Sequence, residues 1–305
     1  MILEHENDGI FRLSRELKTT LEIAESDGET PKTLSTTTKK RLKDLHEQRW
    51  LNKKQHGYLF SKRNNMSDID TKLTNTWHTN STLSSHVEGF ICAIQEEEIN
   101  TNYLKRKRST NNFNFNSKCR LCHGKDETIH HIVASCPMLS ASMYLPIRHD
   151  EVAKEIYRNL ITPIEKTKIP ILESYSSTDT DIWWDTKIKM PSNIKHNKPD
   201  IVLWRKNDKT CFIIDIVVGL DVNVNTNHQL KHDHYFQLCT ELKRIYQEYQ
   251  FEVIPISIGA TGLISKKLAS NLEKIGITDI SKTIKRMQQK ALLGTVKIVK
   301  SFMKT

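Results

Sequence analysis

No apolar run in this 305-residue chain approaches the roughly 18 residues needed to span a bilayer. Its opening stretch, MILEHENDG, is too acidic and polar for a secretory leader. An intracellular, reducing setting without a membrane partner is therefore expected. Aromatic residues make up 7% of the chain and hydrophobic residues 37%, which confines a core to dense stretches such as Cys211 to Val218 and Phe251 to Ile258. No internal repeat is present. Cysteine is also scarce: of six residues, Cys92, Cys211 and Cys239 lie scattered among apolar neighbours, a pattern that argues against a disulfide framework.

Acidic residues are outnumbered, 36 against 46 lysines and arginines, for a net charge of +10. Clustered cations gain affinity for phosphates by releasing condensed counterions, so a polyanionic partner is expected. The distribution says more than the sum. Residues 36–110 carry 14 basic and 8 acidic groups, residues 265–305 carry 10 and 2, and residues 111–264 carry 18 of each. The excess thus flanks a neutral centre. Helices merely solvated by lysine would give the same totals; the run Lys105, Arg106, Lys107 and Arg108 is the segment assigned to nucleic acid.

Length suits one core plus a smaller module, or two domains. Residues 1–35 read as a polar lead-in, partly disordered, with at most one short helix near Phe11 to Ala24. Residues 36–115 form a basic helical region. One helix is expected from Thr38 to about Tyr58, with Leu42, Leu45, Trp50 and Leu51 as a stripe. A second runs from Ser84 to Leu104, with Val87, Ile91, Ile94 and Ile99 near one face, before an Asn-rich hinge at Asn111 to Asn116. Residues 116–140 hold a cysteine cluster, 141–264 a core, and 265–305 two basic helices, Ser265 to Ile275 and Ser281 to Met303. The core opens with a helix at Asp150 to Leu160 and a stretch broken by Pro163 and Pro170. Strands follow at Asp181 to Met190, Asp200 to Trp204, Thr210 to Val218 and Phe251 to Ile258. Arg205 to Lys209 makes a turn, and a long helix, His228 to Gln250, precedes the last strand. A mixed α/β fold follows, with a central sheet flanked by helices.

Cys119, Cys122, His131 and Cys136 supply three thiolates and an imidazole within eighteen residues. Zinc binds such a set tetrahedrally, and a Cys-x2-Cys turn aims both sulfurs at one point. The neighbouring His130 could replace His131. No open coordination position is implied, so the zinc is structural, and His123 is expected on the surface.

Lys198-Pro199-Asp200 places an acid at the mouth of an apolar strand, and Asp215 interrupts the run Cys211 to Val218. A carboxylate among β-branched neighbours is costly unless it meets a cation or metal. Two acids on adjacent strands can converge on one Mg²⁺, the logic of the PD-(D/E)xK nucleases. In that pattern a lysine follows the second acid by two residues, a position held here by Val217. The following helix offers a replacement: Tyr235, Leu238, Leu242 and Ile245 form a stripe, and Lys231 lies one turn earlier on that face. His232 and His234 are weaker candidates. A strand-start turn residue at Asp200 and a buried structural acid at Asp215 are the plain alternatives.

With these residues in place, the chain resembles the C-terminal region of non-LTR retrotransposon proteins that carry a restriction-like endonuclease downstream of their reverse transcriptase. The matching stretches are CRLCHGKDETIHHIVASC, RHDEVAKEIY, NKPDIVLW, CFIIDIVV, LKHDHYFQL, VIPISIGATG, LEKIGI and QKALLGTVKIVK, in order, within Leu42 to Met303. The resemblance implies a zinc knuckle feeding a PD-(D/E)xK endonuclease core that nicks target DNA, so that the freed 3′ hydroxyl primes reverse transcription of the element RNA in the nucleus. It places the migrated lysine at Lys231, and it places an Arg-His-Asp motif at Arg148, His149 and Asp150, of which Arg148 and His149 are assigned to nucleic acid; Asp150 is equally readable as a helix N-cap. A second lysine that the family often carries beside the helix tyrosine is His234 here. No aspartate pair of the polymerase kind is present. A truncated copy, a fragment of a longer reading frame and a derived host gene are all compatible with that, with polymerase supplied elsewhere.

Overall fold

The computed structural model describes residues 31–51, 62–63, 65–79, 83–109, 115–161, 171–191 and 193–305, with backbone alone at 31–35 and 50–51. The expected helix at Phe11 to Ala24, the Trp50 and Leu51 side chains, Asn111 to Asn114, Pro163 and Pro170 lie outside what is described. Two compact units divide the chain between Tyr58 and Leu59. The first contains helix α1, Pro31–Leu51, which begins inside the expected lead-in.

The second unit is built on a five-stranded mixed sheet in the order β1 (Ser174–Ser176), β2 (Thr180–Trp184), β3 (Ile201–Arg205), β4 (Thr210–Gly219), β5 (Gln250–Gly259). The first three pairings are antiparallel and β4–β5 is parallel, as the intervening helix α6 (Val224–Ile245) requires. The remaining α-helices of more than one turn among the described residues are α2 (Ser85–Gln95), α3 (Asn102–Arg108), α4 (Ile129–Ala134), α5 (Asp150–Ile161), α7 (Lys266–Lys274) and α8 (Ile280–Phe302). None among the described residues is long and apolar enough to cross a membrane.

Period-two alternation divides the apolar side chains of the sheet between two cores. Ile201, Leu203, Phe212, Ile214, Ile216 and Val218 face the larger one, where α5 and the long α8 pack; α8 buries a face running from Thr283 to Phe302. Val202, Cys211, Ile213 and Val253 face the other, beneath Tyr235, Leu238 and Leu242 of α6. Cys119, Ile132 and Cys136 of the cysteine cluster belong to the larger core together with Ile256 and Ile298. The cluster and the sheet thus share one interior.

Four elements depart from expectation. The Ser84 to Leu104 helix is two: α2 stops at Gln95, Glu97 turns at φ 60°, and Thr101 starts α3 by accepting the Leu104 N–H at 3.2 Å. Helix α6 stops at Ile245 because Gln250 N–H must reach the Lys209 carbonyl, at 2.7 Å, to open β5; Ile245 is consequently exposed rather than part of the buried stripe. Strand β2 ends at Trp184, where Asp185 takes φ 46°. Asp150 is no N-cap, since the chain is already helical through Ser140–His149 as a wide π-helical stretch.

Candidate functional site

Cys119 and Cys122 sit on a turn closed by two backbone bonds, His123 N–H to the Cys119 carbonyl and Cys119 N–H to the Lys125 carbonyl, both 2.9 Å. His123, exposed as expected, turns the chain at φ 54°. Opposite lies α4, started by the Thr128 hydroxyl accepting the His131 N–H at 3.1 Å. One donor atom from each of Cys119, Cys122, His131 and Cys136 lies within 4.8 Å of all the others. Cys119 Sγ and Cys136 Sγ are 3.9 Å apart, and Cys122 Sγ and His131 Nε2 are 3.3 Å apart. A tetrahedron with Zn–S bonds of about 2.3 Å has edges of roughly 3.8 Å, so these groups fit zinc. His130 is turned instead toward Glu97, 3.6 Å away.

Burial, and then the Lys125 charge, lower the His131 pKa and keep its imidazole neutral, as a ligand must be. The Lys125 N–H holds the Cys122 thiol low, whereas burial pushes Cys136 up to about 11. Zinc binding therefore has to release protons. Fully buried Glu127 braces the turn: it accepts from the Arg120 guanidinium at 2.7 and 3.0 Å and from the Asn102 and Arg120 N–H groups at 2.9 Å each.

The carboxylates Asp200 and Asp215 lie at the start of β3 and within β4. The β3–β4 register pairs Ile201 with Ile214, and one step further it brings Asp200 opposite Asp215. Asp200 Oδ2 accepts from Ile216 N–H at 2.6 Å and faces His149 Nε2 at 3.2 Å. Asp215 Oδ1 accepts from the Tyr235 hydroxyl at 2.9 Å, while Asp215 Oδ2 is ion-paired with Lys231 Nζ at 2.5 Å. Lys231 thus reaches Asp215 from α6. His234 stacks on His196 and His232 pairs with Asp233; neither contacts the acids. Burial, and then the Asp200 charge, raise the Asp215 pKa against the pull of Lys231 and Tyr235.

Arg148 corrects an expectation, because its buried side chain cannot present itself to a nucleic acid. Arg148 is 1% exposed. Its guanidinium donates to the Val133 carbonyl beside the zinc ligands at 2.8 Å, to the Val218 carbonyl of β4 at 3.0 Å and to Thr295 Oγ1 of α8 at 3.1 Å. Burial lowers its pKa to about 10, so it stays charged at neutral pH. Gly294 makes room for it: a Cβ there would lie 2.8 Å from Arg148 Cβ. Arg148→Met is expected to cost about 3 kcal/mol or more, since three acceptors lose a buried donor, read as a drop in denaturation midpoint. His149 belongs to the acid site, bridging Asp150 Oδ1 at 3.0 Å and Asp200. Burial opposes its charge, yet the hydrogen bonds to those two carboxylates raise its pKa to about 10.

The basic run in α3 is partly engaged within the molecule. Arg106 donates to Ser117 Oγ at 3.0 Å, Arg108 pairs with Glu98, Lys105 is half-buried and Lys107 is exposed. Two site groups went unassigned at the level of sequence: Tyr235 as a donor to Asp215, and His149 as the partner of Asp200. The dipeptide His149-Asp150 was their only local signal.

A family model described as zinc-binding in reverse transcriptase matches residues 53–142, a span that includes all four zinc-site residues. None of the curated proteins matches the chain.

Proposed function

We propose that this chain is the metal-dependent DNA endonuclease module of a non-LTR retrotransposon protein, its sheet a PD-(D/E)xK core and its zinc knuckle a structural element. The observation that carries the reading is the way the two acids are held. Asp200 is fixed through Oδ2, which leaves its Oδ1 without a hydrogen bond among the described residues, while Asp215 is held through Oδ1 by Tyr235 and through Oδ2 by the Lys231 ammonium, a partner a cation could replace. Two hard oxygen donors on adjacent strands fit Mg²⁺.

A divalent cation, when bound, would supply Lewis-acid stabilisation of charge on the scissile phosphate. The protein's own groups do the rest. Ile216 N–H and His149 hold Asp200 at a fixed angle, and Tyr235 does the same for Asp215, so little reorganisation is left for the reaction. Lys231 places an ammonium next to the attacking water, where it orients that water and offsets the charge that builds as the water loses its proton. The freed 3′ hydroxyl would prime copying of the element RNA by a polymerase carried elsewhere, in the nucleus.

Plasmid nicking by purified protein with Mg²⁺, compared with acid and lysine variants, tests the reading. His149→Ala is expected to lower nicking by roughly 10–100-fold and to raise the Mg²⁺ needed for half-maximal rate, the effect of losing a group that orients a metal ligand. A second reading, nucleic-acid binding without turnover, is favoured by the Lys231–Asp215 ion pair if that pair stays closed when Mg²⁺ is added.

A further inference from the structure

The β2–β3 hairpin continues past its own strands. Its register pairs Trp184 with Ile201, and the same pairing carries on irregularly: Asp185 N–H donates to the Asp200 carbonyl and Ile188 N–H to the Asn197 carbonyl, both at 2.8 Å. Residues 185–191 and 193–199 thus belong to an arm rooted at Asp200. The left-handed turn at Asp185 re-phases its alternation. Ile188, Met190 and Ile194 turn inward to the core under α6, and Lys187, Lys189 and Lys195 are left exposed on the outside.

The arm is firmly seated. His196 stacks on His234 of α6 with ring centroids 4.2 Å apart and planes 1° off parallel. The Lys198 carbonyl accepts from the Tyr235 hydroxyl at 3.0 Å, the same hydroxyl that holds Asp215. Lys198 itself pairs with Asp185 at 2.7 Å. Lys187, Lys189 and Lys195 make no ion pair among the described residues. Three exposed lysines on a braced arm that begins at a site carboxylate give that arm a cationic surface next to Asp200.

We propose that this arm is the surface on which duplex DNA lies, with Lys187, Lys189 and Lys195 gripping backbone phosphates and guiding a phosphodiester to Asp200, Asp215 and Lys231. The choice of DNA rests on the endonuclease reading; the surface itself rests on the arm's geometry. Arginine-free and set on backbone rather than in a groove, the arm grips by charge and carries no base-specific readout.

The test is fluorescence anisotropy of a labelled 30-base-pair duplex with the zinc-loaded full chain in buffer free of Mg²⁺ and of chelator, where nothing is cut. K187E/K189E/K195E is expected to raise Kd at least tenfold. Its slope of log K against log salt should fall by about 0.9 for each phosphate no longer neutralised, roughly 2.7 in all. A charge-matched K39E/K40E/K43E variant on α1 is expected to do markedly less. If the glutamate variant melts early by circular dichroism, K187Q/K189Q/K195Q replaces it, with the same slope expected. Wild-type affinity and slope in the arm variants, an equal loss in the α1 variant, or stronger binding of a single-stranded RNA of equal length would each overturn the proposal. Nicking is scored separately: arm-dependent binding by a protein that never nicks would remove the endonuclease reading and leave the arm standing.

Discussion

Asp200→Asn and Asp215→Asn are each expected to lower Mg²⁺-dependent nicking by about 10²–10³-fold, the scale of losing one preorganised electrostatic group, with Lys231→Ala close behind. Asp215 makes the cleaner case. Its carboxylate is 2% exposed, and burial with the Asp200 charge already disfavours its ionised form. An amide of the same shape keeps the Tyr235 hydrogen bond while removing a buried charge. Lys231, whose side chain is 28% exposed, can return to water. Asp215→Asn should therefore melt no lower than wild type while losing activity, which separates chemistry from folding. Wild type and variants nicking alike, or no nicking by any of them, would leave nucleic-acid binding as the surviving function.

The second large effect concerns zinc. Cys119→Ser and Cys136→Ser are expected to abolish stoichiometric zinc, measured by elemental analysis, and to lower the melting temperature sharply. Structural zinc contributes an apparent free energy of about 10–16 kcal/mol in small fingers at neutral pH. Here the loss would strike a shared interior, because Cys119 and Cys136 are almost wholly buried beside Ile132 and Val133. His130→Ala is expected to leave zinc in place and His131→Ala to remove it, since only His131 Nε2 faces a thiol. Folded protein free of zinc would sink this assignment.

The zinc set was legible because its spacing is local: four ligands within eighteen residues leave few geometries. Asp200 and Asp215 were legible because charge inside a β-branched run demands a partner, and Lys231 because 3.6-residue periodicity puts it one turn before Tyr235. Arg148 was misread for a physical reason. A lone arginine next to a histidine looks like a surface cation, and nothing local reveals that carbonyls from positions 133 and 218 and a hydroxyl at 295 converge on it. β1 was missed since Ser174–Ser176 is too short and polar to show a pattern. The break between α2 and α3 was missed because Ile99 stays buried, which preserves the apolar spacing across a non-helical turn. Lys187, Lys189 and Lys195 stood in a stretch expected as strand or loop, and only the pairing of 185–188 with 197–200 shows them as one arm.

Arg148 and His149 are consecutive residues with unlike duties, one gripping the Val133 carbonyl beside the zinc ligands and the other gripping Asp200. That adjacency makes an interlock. Loss of zinc would loosen the Val133 carbonyl that anchors Arg148, and through the adjacent His149 the disturbance would reach Asp200. On the endonuclease reading proposed above, a copy without zinc would therefore be expected to cut poorly.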